Sequence, residues 1–170
     1  MKTKLIIACL ALGSWAANAQ HDHAGHGTEK KADQNMVMFK DAKLGKAYEH
    51  YLHLKDALVA SKADESKKAA GELQKALKDV PGSAAALEAS AKIFNQNDLA
   101  EQRKLFSALS NEMTTLVKGG KLSMGMLYLE YCPMANNNEG AYWLSNEKQI
   151  KNPYFGDKML KCGSVKETIQ

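Results

Sequence analysis

The chain has 170 residues, 45% of them hydrophobic and 25% charged, with 23 Lys and Arg against 19 Asp and Glu for a formal charge of +4. Its lysines are interleaved with acids and never gather into a stripe, which argues against nucleic acid as a partner. Past the first segment no run reaches the roughly 18 consecutive apolar residues of a membrane helix, so no membrane span is expected there.

Residues 1–19 read as a secretory signal peptide: Lys2 and Lys4 open it, Leu5 to Leu12 are mostly apolar, and Ala17-Asn18-Ala19 is an A-x-A cleavage site. Cleavage near Ala19 leaves an exported, periplasmic product and lowers the charge to +2 by removing Lys2 and Lys4. Cys9 lies inside the apolar stretch with Leu10 after it, so lipidation is the lesser alternative. The remaining chain, about 150 residues, suits one domain.

Residues 20–38 form a polar tail that opens with His21, His23 and His26, a short tract able to gather a metal ion or simply to be solvated. Met36 and Met38 sit at alternate positions, where they serve either as thioether ligands on one side of a strand or as an apolar lead-in to the first helix.

Residues 39–170 make up the domain. A first helix is expected from about Asp41 to Ser61, because Leu44, Tyr48, Tyr51 and Leu58 make one apolar stripe. His50 and His53 lie one turn apart on it, a spacing that suits chelation but lacks a third ligand. A second helix runs from about Ala63 to Val80 and is ended by Pro81-Gly82. The alanine-rich third covers about Ser83 to Asn95. The fourth starts after Asp98, a natural N-cap, carries Leu99, Phe106 and Met113 at seven-residue spacing, and stops at Gly119-Gly120. Short connections between four such helices predict an all-α, up-and-down four-helix bundle.

The last fifty or so residues are rich in turn formers and are expected to form an irregular segment packed against the bundle, with Leu122 to Tyr131 as a strand or buried connection. Tyr142, Trp143, Tyr154 and Phe155 are read as packing aromatics. Met124-Gly125-Met126 repeats the Met-x-Met spacing, as a methionine-lined approach to a site or as core filler.

Two sulfur clusters then stand out, Cys132-Pro133-Met134 and Met159-Leu160-Lys161-Cys162. Soft thiol and thioether donors favour Cu(I) or Ag(I) over hard cations. Cys132, Met134, Met159 and Cys162 are therefore the leading metal candidates, with His50, His53, Met124, Met126, His21, His23 and His26 as secondary ones. Two cysteines in an oxidising compartment equally suit one disulfide, which closes a loop of about thirty residues and contributes about 3 kcal/mol.

Three stretches, Tyr131-Cys132-Pro133-Met134-Ala135, Gly140-Ala141-Tyr142-Trp143-Leu144-Ser145 and Asn152-Pro153-Tyr154-Phe155-Gly156-Asp157-Lys158-Met159-Leu160-Lys161-Cys162-Gly163, closely resemble a periplasmic domain family of unknown function. Tyr51-Leu52-His53-Leu54-Lys55-Asp56 and Gln102-Arg103-Lys104-Leu105-Phe106 are similar to its helical part. That family occurs alone and fused to the adaptor subunits of copper and silver efflux pumps, so the resemblance implies heavy-metal handling and an efflux adaptor as partner. No C-x-x-C, phosphate-binding glycine loop or H-E-x-x-H motif is present, and a non-enzyme is expected. Two functions follow: an exported protein that sequesters or delivers Cu(I) or Ag(I), or a disulfide-stapled module that docks on an envelope partner without metal.

Overall fold

A computed structural model describes residues 36–170. The expected signal peptide and the tract of His21, His23 and His26 lie outside the described residues.

Helix α1 (Ala42–Val59) begins at Asp41, whose carboxylate accepts the Lys43 N–H at 2.8 Å and satisfies one of the free donors of the first turn. Its buried face carries Leu44, Tyr48, Tyr51, Leu54 and Leu58. Helix α2 (Ala63–Leu77) has no side-chain cap; Asp64 and Glu65 sit in its first turn and Lys75 in its last, charges that suit the helix dipole. Ser83 then donates its hydroxyl to the Leu77 carbonyl at 2.6 Å, folding the Pro81-Gly82 turn back on α2 before α3 (Ala84–Phe94) starts. Helix α4 (Leu99–Gly119) is capped by Asp98, which accepts the Glu101 N–H at 2.9 Å. These four helices stand where the 3.6-residue periodicity puts them.

The remainder corrects the all-α expectation. Two antiparallel sheets are present among the described residues, so the fold is mixed, with a sheet-bearing C-terminal part. Strand β1 (Met38–Phe39) pairs with β2 (Leu122–Met124), with Met38 opposite Met124. Strand β3 (Leu127–Cys132) lies between β4 (Ala141–Ser145) and β5 (Ser164–Ile169). A turn at Ala135–Asn138, left-handed at its asparagines, joins β3 to β4, and a 3₁₀ turn at Gly156–Met159 precedes β5.

The physical reason for the difference is that these strands are short and interrupted by turn residues, and β1 and β5 find their partners far along the chain. In β5 most residues are exposed, so the edge strand carries no apolar alternation to betray it. Backbone pairing with β3 places β5, which has no hydrophobic stripe of its own.

Strand β4 packs against α4. The core there is aromatic: the Tyr51 and Phe106 rings stack with centroids 5.4 Å apart, and Trp143 meets Tyr154 edge-on at 5.9 Å. Trp143 and Tyr154 are buried packing residues, as expected, whereas Tyr142 is exposed. Arg103 of α4 fastens the segment before the 3₁₀ turn. Its guanidinium donates to the carbonyls of Pro153 at 2.9 Å and Leu58 at 2.7 Å.

Candidate functional site

Cys132 is the last residue of β3, the central strand, and is fully buried. Cys162 follows the 3₁₀ turn, just before β5, and is half-buried. Pairing of β3 with β5, which sets Tyr131 opposite Ser164, brings the two cysteines together although 30 residues separate them. Their sulfurs are 2.7 Å apart.

The turn that carries Cys162 is built by its neighbours. The Cys162 N–H donates to the Met159 carbonyl at 3.0 Å, and the buried Asn152 amide donates to the Cys162 carbonyl at 2.8 Å. Gly163 takes φ +143, and a β-carbon there would come within 2.8 Å of the Trp143 ring and 3.0 Å of the Tyr131 carbonyl. Glycine is needed for both reasons. The contact with Cys132 raises the Cys162 thiol to about 11, with burial and any charge on Cys132 acting in the same direction. Cys162 is therefore a neutral thiol at ordinary pH when paired with a reduced Cys132, and taking up a metal there means releasing protons.

Of the four leading candidates, the cysteines are the pair in contact. Met159 is half-buried, and its carbonyl accepts the Cys162 N–H in the turn they share. Met134 is exposed and lines a groove of about 1100 Å³ between α4 and the loop of Asn136, Asn137 and Asn138. These three asparagines all take positive φ, between 50° and 71°.

His50 and His53 do lie side by side on α1, ring centroids 6.1 Å apart, with His50 half-buried and His53 exposed. Burial, followed by the neighbouring His53, lowers the His50 pKa. Among the described residues no group of three or more His, Cys, Asp and Glu side chains is placed to hold a metal ion. Sulfur remains the donor type with local concentration.

Two features were not legible in the sequence. Glu130 of β3 is fully buried, with its carboxylate facing the Trp143 indole. Burial raises its pKa to about 8 despite the opposing pull of the Lys55 ammonium. The second is the fate of the two Met-x-Met pairs: Met36, Met38, Met124 and Met126 are all exposed, so none of them fills the core.

A family described as "Protein of unknown function (DUF3347)" matches residues 47–125, from α1 to the end of β2. The helical part of the chain is thus similar to a family of unknown function, and the match stops short of Cys132. No curated protein and no solved structure matches the chain.

Proposed function

We propose that this protein is a periplasmic, non-catalytic binder of Cu(I) or Ag(I), with Cys132 and Cys162 as its principal ligands and Met134 and Met159 as supporting thioethers. The carrying observation is the meeting of the two sulfurs at 2.7 Å, between a buried strand end and a half-buried turn. Thiolates prefer soft monovalent ions, and the neighbouring methionines are soft donors as well. Handover of the ion to an efflux adaptor belongs to the same proposal.

The same distance favours a second reading. Metal–thiolate bonds are on the order of 2.3 Å, so two thiolates sharing one ion stand further apart than these sulfurs do. Metal uptake requires the Cys162 turn to open, whereas a disulfide requires a small closure. Oxidised, the pair staples β5 to β3, and the protein then acts as an interaction module that docks on an envelope partner.

Thiol counting on protein taken from the periplasm, followed by Cu(I) titration of the reduced form against a competing chelator, separates the two. The metal reading predicts one strongly held Cu(I) that protects both thiols from alkylation. It also predicts apparent affinity rising with pH, because bound metal displaces thiol protons. Two unreactive cysteines with no Cu(I) uptake after reduction would leave the interaction module.

A further inference from the structure

Methionine ordinarily fills gaps in a core. Of the seven methionines among the described residues, Met113 alone is fully buried. Four of the exposed ones occur on or just beside the β1–β2 ribbon: Met36 is 54% exposed, Met38 47%, Met124 55% and Met126 40%. Residues that could be buried elsewhere are here held out in solvent.

The pairing brings two of them together. Met38 and Met124 are directly opposite in an antiparallel pair, which puts their β-carbons on one face about 5 Å apart. Met36 lies two residues earlier, on the same side of an extended chain. Its carbonyl packs onto Gly125, which takes φ +82, and a β-carbon at Gly125 would collide with it. Gly125 therefore lets the chain before β1 lie against the backbone linking Met124 to Met126. The Met126 sulfur accepts a hydrogen bond from the Tyr128 hydroxyl at 3.0 Å, which orients it.

We infer that Met36, Met38, Met124 and Met126 form a second, thiol-free site for Cu(I) or Ag(I). Thioethers are neutral, soft and permanently deprotonated, so such a site binds a monovalent soft ion without releasing protons. It also works when Cys132 and Cys162 are oxidised to a disulfide. The site shares its ion with the function proposed above but none of its ligands, so the two stand or fall separately.

The test is silver titration of the disulfide-form protein carrying methyl-¹³C methionine, followed by NMR at pH 5.5 and 7.5. The methyl signals of Met36, Met38, Met124 and Met126 are expected to move together, saturate at one equivalent of Ag(I) and give the same affinity at both pH values. The Met113 signal should stay in place. The double substitution M38L/M124L exchanges exposed residues for ones of similar size, keeps the fold and should abolish the saturable shift of Met36 and Met126. Shifts confined to Met134, Met159 or the histidines would overturn the proposal. Silver uptake at the ribbon methyls that survives M38L/M124L unchanged would overturn it too. For the C132S/C162S variant, loss of pH-dependent Cu(I) uptake with retained ribbon shifts identifies the cysteine site and the ribbon as distinct.

Discussion

The Tyr51 hydroxyl accepts the Leu144 N–H at 3.0 Å and meets the Ser110 hydroxyl at 2.9 Å, so one buried oxygen joins α1, α4 and β4. Tyr51 and Leu144 are 93 residues apart, and this bond helps to fix the C-terminal sheet on the helices. Tyr51→Phe removes the acceptor and leaves a buried N–H unsatisfied. We predict a loss of about 1–3 kcal/mol in denaturant unfolding with unchanged far-ultraviolet circular dichroism. An unaltered stability would mean that the sheet is held by apolar packing alone.

Arg103 makes a comparable bridge from α4, reaching Pro153, Leu58 and the Ser61 hydroxyl at once. A lysine has one ammonium in place of this planar fork and cannot serve all three. Arg103→Lys should therefore loosen the segment from Asn146 to Gly163, and limited proteolysis should cut there faster than in the parent. Equal cutting rates would show the fork to be dispensable.

Glu130 gives the protein a pH dependence of definite sign. Its carboxyl faces Lys55 and Tyr48 from α1 and Trp143 from β4, with Glu147 and Lys151 beyond, and burial dominates in raising it to about 8. The folded state thus holds a proton that the unfolded chain releases. Its contribution to stability is complete below the ordinary carboxylate range and is lost as pH rises through about 8. Glu130→Gln stays neutral at every pH. Its melting temperature should fall less steeply than the parent's between pH 5 and 8, and parallel profiles would show that Glu130 is charged in the folded protein.

The four helices were readable because each buries a face at helical spacing and ends in recognisable punctuation, such as Asp98 before α4 and Pro81-Gly82 after α2. Of the sheets, the stretch Leu122 to Tyr131, which holds β2 and most of β3, was expected as a strand or buried connection, but the pairings were not legible. Strand β1 has two residues, β5 is a mostly exposed edge, and the pairs Met38 with Met124 and Tyr131 with Ser164 join positions no local window can relate. The partnership of Cys132 and Cys162 was legible from their count, since they are the two cysteines past residue 19. Burial of Glu130 was hidden, because a lone acid in an apolar strand gives no sign of which side it faces.

Oxidation of Cys132 and Cys162 closes a loop of 30 residues, for which chain entropy gives about 3–4 kcal/mol. Protein with the disulfide formed should melt higher than the reduced form, and C132S/C162S should not respond to reductant. A reduced form that is as stable as the oxidised one would mean that the β3–β5 pairing already orders the turn without the covalent link.

The most direct measurement is X-ray absorption of the reduced protein loaded with one equivalent of Cu(I), together with alkylation of its thiols. A coordination shell made of sulfur alone, with Cys132 and Cys162 protected, is the expected result. A shell dominated by nitrogen or oxygen, with both thiols freely alkylated, would contradict the assignment of this protein as a soft-metal binder through its cysteine pair.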